Sequence, residues 1–268
     1  MGWPVAHSRS PAIHNHWIRK HHLNGAYGLF PVPPNHLETA IRGIQALGLA
    51  GCNLTIPHKV EAMAYMDWVD PLAQRMGAIN TIVVQADGSL HGFNNDGFGF
   101  LQSLRDAQPN WRADLGPIVI VGAGGAARAI VVSLIDAGAT EIRLLNRTHH
   151  KAQALAQEFG TSVTSFDWSE RHEALAGAAL LVNTTNQGMH GEAPLDLALD
   201  QLPTNALVSD AIYIPLETPL LQAARLRGNT TVNGLGMLLH QASPAFQAWF
   251  GVTPEVTPEL RELIIATF

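Results

Sequence analysis

The chain has 268 residues and a formal net charge of −6, and 47% of its residues are hydrophobic against 14% charged. This length accommodates one large domain or two ordinary ones, and no stretch is long and apolar enough to cross a bilayer. The negative charge argues against a nucleic-acid partner, because such proteins need a basic surface.

The cysteine and histidine content bears on disulfide bonds, cellular location and metal binding. Cys52 is the only cysteine, so no internal disulfide can form, and the N-terminus lacks the basic start and apolar core of a signal peptide. We therefore expect a cytoplasmic protein that acts without a membrane. The 13 histidines are scattered along the chain without the spacing of a zinc site, so we expect no metal.

The first region, up to about residue 100, predicts a mixture of helices and strands. In chain order the apolar pattern predicts a helix over residues 11–22, a strand over 27–32, a helix over 37–47 and a buried strand over 50–56. Two short strands, 81–84 and 89–93, flank Asp87-Gly88, a dipeptide typical of a two-strand turn.

The second region begins with an uninterrupted β-branched run over residues 118–121, which predicts a buried parallel strand. A glycine-rich loop, a helix to Ala137 and a strand over 141–145 follow, in the order of a right-handed crossover unit. The pattern predicts further strands over 179–183, 206–212 and 230–232, and a helix over 220–226. Two terminal helices, 236–250 and 258–267, are expected to pack back on the first domain.

The glycine-rich loop fits the dinucleotide fingerprint G-x-G-x-x-A in its required place, between a buried strand and a helix. Gly122 permits the tight turn, Gly124 lets the backbone approach a pyrophosphate, and Ala127 keeps the helix close to the strand. The helix N-terminus favours phosphate binding there, and the expected cofactor-binding residues are Gly122, Ala123, Gly124, Gly125 and Ala126. The alternative is a strand-to-helix turn that binds nothing.

The end of the second strand of this unit decides the choice of cofactor. NAD-specific proteins place an Asp or Glu there to accept from the ribose 2′-hydroxyl, whereas this chain has Asn146. With Asn146 there, no carboxylate repels a 2′-phosphate. Donors for that phosphate are available from Asn146, Arg147, Thr148 and Lys151, which favours NADP. The same residues suit a solvated helix start capped by Thr148, and the two interpretations are compatible.

Polar clusters in the first region indicate a substrate site. They are Ser8-Arg9-Ser10, the strand end with Asn53, Thr55 and Lys59, residues 77–81 with Asn80, and residues 92–97 with Asp96. Amide and hydroxyl groups suit a polyol, and a lysine paired with a carboxylate can supply the proton that carbonyl reduction needs. The structural alternatives are that Ser8 and Ser10 cap a helix and that Asp96 belongs to a turn.

Taken in order, these motifs resemble those of the shikimate dehydrogenase family. The matching stretches are residues 2–15, 53–59, 77–81, 94–99, 122–127, 146–148, 210–213 and 233–241. The resemblance covers nearly the whole chain and implies two α/β domains with a cleft between them. One is an N-terminal substrate-binding domain with a mainly parallel sheet, residues 1–98 plus 237–268, and the other is a Rossmann-like NADP-binding domain, residues 99–236.

The resemblance also implies a reaction, the reversible NADPH-dependent reduction of 3-dehydroshikimate to shikimate in aromatic amino-acid (chorismate) biosynthesis. Lys59 matches the catalytic lysine and Asp96 its partner. Ser8 and Ser10 match the residues that hold the substrate carboxylate. The matches to residues around the ring hydroxyls are Asn53, Thr55, Asn80, Asp96, Tyr213 and Gln241, and those lining the nicotinamide side are Ala211, Gly234 and Met237.

This chain departs from the family pattern at two places. The family usually has a strand before Gly-x-Pro, whereas this chain begins at Met1-Gly2, so either that strand is missing here or the first sheet is short by its leading member. Asn95 stands where the family usually has threonine, a change that bears on how Asp96 is held. The alternative functions are a quinate or quinate/shikimate dehydrogenase and a catalytically silent NADP-binding regulator. In each case we expect small-molecule ligands and a monomer or homodimer.

Overall fold

The computed structural model describes residues 1–268 and divides them into two compact units. The first unit is Met1–Asp96 with Leu239–Phe268, and the second is Gly97–Leu238. Each unit contains a sheet and several helices, so the predicted two-domain α/β fold is confirmed. None of the helices has the length and apolarity that crossing a membrane requires.

The helices and strands follow one another closely along the chain. Up to residue 96 they are α1 (Ser10–Lys20), α2 (Leu37–Ala46), β1 (Gly51–Asn53), β2 (Trp68–Val69), α3 (Pro71–Met76), β3 (Thr81–Val84) and β4 (Leu90–Phe93). Next come α4 (Asp96–Ala107), β5 (Ile118–Val121), α5 (Gly125–Asp136), β6 (Ile142–Leu145), α6 (His149–Phe159), β7 (Val163–Phe166), β8 (Leu180–Asn183), β9 (Leu207–Asp210), α7 (Pro219–Leu226), β10 (Thr231–Val232), α8 (Gly234–His240), α9 (Ala242–Phe250) and α10 (Pro258–Ile265). Short 3-10 helices occupy Pro34–His36, Glu61–Tyr65, Gly160–Ser162, Trp168–Glu170 and Glu173–Leu175.

The first sheet has four strands in the order β1-β3-β4-β2. Strand β3 runs antiparallel to both β1 and β4, and only β2 and β4 are parallel. The expectation of a mainly parallel sheet in this domain is therefore wrong. The physical reason is the short connection between β3 and β4, which turns at Gly88 and leaves no room for the crossover that parallel neighbours require.

Residues 27–32 do not form the predicted strand. Their one ladder contact is an isolated bridge between Gly2 and Pro31, and proline has no N–H to donate to a neighbouring strand. The side chain of Asn15 holds the segment instead. Its Nδ2 donates to the carbonyl of Tyr27 at 2.8 Å, and its Oδ1 accepts from the Tyr27 N–H at 2.9 Å.

The predicted helix over residues 236–250 is divided into α8 and α9 at Gln241. Pro244 lacks the N–H that would bond to the carbonyl of His240, so the helical hydrogen-bond pattern is interrupted there. Helices α9 and α10 both contact α1 within the first unit. The expectation that the terminal helices pack on the first domain is therefore confirmed.

The second sheet consists of six parallel strands in the order β10-β9-β8-β5-β6-β7. This is the doubly wound order of dinucleotide-binding folds. In the central strand β5, Ile118 and Ile120 join the apolar core on one face, while Val119 and Val121 join the core on the other. Burial on both faces explains the uninterrupted apolar run in the sequence. The carboxyl end of β5 leads directly into the glycine-rich loop.

Candidate active site

A lysine–aspartate ion pair lies within the polar cluster of the first unit. Lys59 Nζ donates to Asp96 Oδ2 at 2.6 Å, the length of a charge-assisted hydrogen bond. The two side chains are 28% and 13% exposed, so water screens them less than it screens a surface pair. The structure thus brings the two residues predicted to act in catalysis into direct contact.

Backbone hydrogen bonds explain why these two residues meet. The carbonyl of Lys59 accepts from the Ile79 N–H at 2.8 Å, which places the turn after β1 beside the start of β3. The side chain of Asn94 donates to the Ala78 carbonyl at 2.9 Å and accepts from the Asp96 N–H at 3.0 Å. The segment before β3 therefore anchors both the lysine and the aspartate.

Asn80 holds the second oxygen of the Asp96 carboxylate. Its Nδ2 donates to Asp96 Oδ1 at 2.9 Å and lies 3.4 Å from Gln241 Oε1. Its Oδ1 accepts from the Asn95 N–H at 3.0 Å, and because a backbone N–H can only donate, this contact sets the orientation of the amide. Each oxygen of Asp96 therefore has its own donor, the ammonium of Lys59 on one side and the amide of Asn80 on the other.

Asn53 lies in the same network at the end of β1. Its Nδ2 donates to the Asn80 carbonyl at 3.1 Å and to Thr81 Oγ1 at 3.0 Å, and its Oδ1 accepts from the Tyr27 hydroxyl at 2.8 Å. Burial raises the pKa of Tyr27, so the phenol keeps its proton and acts as the donor. The sequence motifs contain Thr81 but assign it no role, and no sequence signal points to Tyr27.

Ser8 and Ser10 flank the start of α1. The N–H of Ser10 bonds to the Ser8 hydroxyl at 3.3 Å. Helix α1 has Arg9 at its N-cap, and that residue makes no side-chain cap hydrogen bond. The Ser8 hydroxyl instead accepts from the N–H of the first helical residue, which supports the capping alternative for Ser8. Both serines are half-buried.

The remaining predicted ring contacts are Thr55 and Tyr213. Thr55 follows β1 in the first unit, where its methyl group packs on Gly2 so closely that a Cβ on that glycine would collide with it. Its N–H donates to the Met1 carbonyl at 3.0 Å. Tyr213 belongs to the second unit, in the segment after β9.

The loop after β5 has the shape that a pyrophosphate requires. Gly122 has φ of +116°, and a Cβ there would collide with the Thr184 hydroxyl, so only glycine fits this turn. A Cβ at Gly124 would meet no protein atom within 4 Å, which shows open space beside the backbone. Helix α5 begins next to it without a side-chain cap, and its first N–H groups are therefore available to an anion.

The segment after β6 presents unneutralised positive charge. Arg147, Thr148 and Lys151 are exposed, and the Asn146 amide donates to the Thr148 carbonyl at 2.8 Å, which folds the segment back on itself. The carboxylate nearby, Asp167, lies 3.5 Å from His149 Nδ1 and does not pair with these cations. Thr148 is the N-cap of α6 but its side chain makes no cap hydrogen bond. These features fit a 2′-phosphate.

Three residues predicted on the nicotinamide side lie together in the second unit. The N–H of Gly234 donates to the Ile212 carbonyl at 2.9 Å, and a Cβ on Gly234 would collide with the Ala211 carbonyl. Met237 packs against the core of this unit.

The carboxylate of Asp210 holds the segment that begins with Ala211. It accepts from the Ile212 N–H at 3.0 Å and from the Thr218 hydroxyl at 2.7 Å. Burial raises the pKa of Asp210, and these hydrogen bonds oppose that effect.

Known proteins are similar to this chain in sequence over nearly its whole length. Residues 1–82 match the family described as "Shikimate dehydrogenase substrate binding domain", and residues 110–190 match the family described as "Shikimate / quinate 5-dehydrogenase". A relative from Paramagnetospirillum magneticum, named shikimate dehydrogenase (NADP(+)), is 52% identical over 266 residues, which are 99% of this chain and 96% of the relative.

Solved structures of similar proteins have the same fold. Shikimate 5-dehydrogenase from Thermus thermophilus, in complex with NADP(H) and shikimate, is 36% identical with a TM-score of 0.88, covering 100% of this chain and 97% of that one. Quinate dehydrogenase from Corynebacterium glutamicum, in complex with NAD, is 30% identical with a TM-score of 0.91, covering 99% and 96%. These similarities confirm the resemblance carried by the motifs. The chain belongs to the shikimate dehydrogenase family.

Proposed function

We propose that this chain is an NADP-dependent oxidoreductase acting on a CH–OH group, which interconverts 3-dehydroshikimate and shikimate in chorismate and aromatic amino-acid biosynthesis. The observation that carries this proposal is the contact between Lys59 and Asp96 at 2.6 Å within a cluster of amide side chains. A ketone and its alcohol differ by a hydride and a proton. The ion pair donates the proton in one direction and accepts it in the other, and the amides around it suit a ring with several hydroxyl groups.

The reaction requires a proton at the carbonyl oxygen when the ketone is reduced. Lys59 carries that proton and is held in place by Asp96, whose other oxygen is bonded to Asn80. In the reverse direction the same pair takes the proton from the alcohol. Bound NADPH supplies the hydride for reduction.

The other polar side chains orient the ring substrate. The hydroxyls of Ser8 and Ser10 donate to its carboxylate. The residues that contact its ring hydroxyls are Asn53, Thr55, Asn80, Asp96, Tyr213 and Gln241. Asn53 and Asn80 are already held by hydrogen bonds within the protein, so little of their order has to be established when the substrate binds.

The cofactor site is proposed in the second unit. The loop residues Gly122, Ala123, Gly124, Gly125 and Ala126 hold the pyrophosphate. Asn146, Arg147, Thr148 and Lys151 hold the 2′-phosphate, and Ala211, Gly234 and Met237 line the nicotinamide side. The open space beside Gly124 and the unpaired cations after β6 support this assignment.

We also propose that residues 1–98 with 237–268 bind the ring substrate and that residues 99–236 bind NADP. The two compact units support this division of roles. We further propose that the protein works in the cytoplasm, as a monomer or homodimer. Sedimentation velocity of the purified protein distinguishes the two assembly states.

The decisive experiment is a spectrophotometric assay of the purified protein. Formation of NADPH is followed with shikimate and NADP⁺, and the same assay is run with quinate and with NAD⁺ in all four combinations. We expect the highest kcat/KM with shikimate and NADP⁺. A higher value with quinate would assign the protein to quinate oxidation, and NADPH binding without turnover of either acid would support a silent regulator.

A further inference from the structure

The hydroxyl group of Thr81 lies where three asparagine side chains meet. Asn53 Nδ2 donates to Thr81 Oγ1 at 3.0 Å, Asn95 Nδ2 donates to it at 3.0 Å, and the hydroxyl itself lies 2.8 Å from Asn80 Oδ1. Thr81 is only 1% exposed, so water cannot replace these contacts. This one oxygen therefore joins β1, β3 and the segment that leads into Asp96.

The directions of these hydrogen bonds follow from backbone groups whose roles cannot change. Asn53 Nδ2 also faces the Asn80 carbonyl at 3.1 Å, which must accept, so this nitrogen is a donor. Asn80 Oδ1 also faces the Asn95 N–H at 3.0 Å, which must donate, so this oxygen is an acceptor. The Thr81 hydroxyl consequently accepts from Asn53 and donates its proton to Asn80.

The hydroxyl has no hydrogen-bonding capacity left for a ligand. A threonine side chain offers one proton and two lone pairs, and the contacts with Asn80, Asn53 and Asn95 use all of them. Thr81 therefore does not bind the ring substrate itself. Its effect passes through the asparagines, of which Asn53 and Asn80 are proposed to bind the ring and Asn80 also holds Asp96.

We propose that Thr81 is a positioning residue, which sets the orientation of the amides that bind the ring hydroxyls; this inference rests on the proposed function. Removal of the hydroxyl leaves Asn53 and Asn95 with one acceptor fewer and Asn80 with one donor fewer. Each amide can then rotate away from the geometry that the ring requires, while the glycine-rich loop in the second unit keeps its structure.

The test compares Thr81→Val with Thr81→Ser. Valine keeps the branched shape that suits a strand but lacks the hydroxyl, whereas serine keeps the hydroxyl. Thr164→Val, at an exposed position of β7, is the matched control. Steady-state kinetics give KM for shikimate and for NADP⁺ separately, and thermal unfolding shows whether each variant is folded.

We expect Thr81→Val to raise KM for shikimate about tenfold, the effect of losing one hydrogen bond between a misoriented amide and the ring, while KM for NADP⁺ stays within about twofold. Serine should restore most of the affinity for shikimate, and the control should match the wild type. If valine at position 81 prevents folding, Thr81→Cys, with a weak thiol donor, should give an intermediate rise.

Two results would overturn the inference. One is an unchanged KM for shikimate in every folded Thr81 variant, and the other is an equal loss for shikimate and NADP⁺ that serine does not restore. A wild-type protein that turns over no shikimate would instead refute the proposed function, and the inference with it.

Discussion

Replacement of His14 should flatten the dependence of stability on pH. The His14 ring is fully buried, lies parallel to the Tyr27 ring with 4.3 Å between centroids, and contacts Trp17, Phe246 and Trp249. Neither of its nitrogens has a hydrogen-bond partner. Burial lowers the pKa of His14 to about 3, and the nearby Asn53 amide opposes this effect only in part.

The magnitude follows from the difference between the folded and unfolded states. The unfolded chain binds a proton at His14 with a pKa near 6.5, whereas the folded protein excludes it until the pH approaches 3. The folded state is therefore fully favoured above the unfolded pKa and loses stability as the pH falls below it. At pH 5, about 1.5 units below the unfolded pKa, the loss is about 2 kcal/mol.

The assay is urea unfolding of the wild type and of His14→Phe at about pH 7.5 and about pH 5. Tryptophan fluorescence follows unfolding, and two of the six tryptophans, Trp17 and Trp249, contact the His14 ring. The free energy of unfolding of the variant should fall by about 2 kcal/mol less than that of the wild type between these pH values. Each protein is compared with itself at the two pH values, so any loss of stability from packing the phenyl ring is the same at both and cancels. His36→Phe, at an exposed position, is the control, and equal pH dependence in wild type and His14→Phe would refute the reasoning.

Three further predictions concern the catalytic pair and the cofactor. Lys59→Ala should lower kcat by about 100-fold or more and leave the Kd for NADP⁺ near its wild-type value; unchanged turnover would reject the catalytic role. Arg147→Ala should weaken NADP⁺ binding by about tenfold or more and NAD⁺ binding little, measured by calorimetry, with Arg112→Ala as an exposed control; equal losses would place the 2′-phosphate elsewhere. Gly124→Ala should keep a Tm near the wild-type value, because the added Cβ enters open space, yet bind NADP⁺ at least about tenfold more weakly; normal binding would show that the pyrophosphate does not approach this residue.

The elements that the sequence predicts best are those whose side chains are all buried. Strand β5 has the predicted bounds because both of its faces are covered by apolar cores, so every residue of the strand is apolar. The start of α4 escapes prediction because Gly97 and Gly99 are poor helix formers. Gly97 is required there by tertiary packing, since a Cβ would collide with the Ser133 side chain of α5, and no local pattern reveals that approach.

The residues of the site are likewise of two kinds, those that the sequence predicts and those that only the structure reveals. The types and positions of Lys59, Asp96 and Asn80 mark them as candidates in the sequence, because each is polar within an apolar region. The role of Thr81 depends on the register of β1 against β3, in which Asn53 lies opposite Thr81. A shift of one residue would turn these side chains to opposite faces of the sheet, and the sequence of neither strand specifies the pairing.

The hold of Asn15 on Tyr27 constrains how this part of the chain can be altered. The Asn15 amide bonds to both the N–H and the carbonyl of Tyr27, as a neighbouring strand would. The phenol of Tyr27 then donates to Asn53 at 2.8 Å. An extra residue inserted just before Tyr27 would displace its ring by about 3.3 Å along an extended chain, beyond the reach of that contact. Loop grafting or lengthening is therefore better directed to the turn between β3 and β4, where Ala86 and Asp87 are exposed.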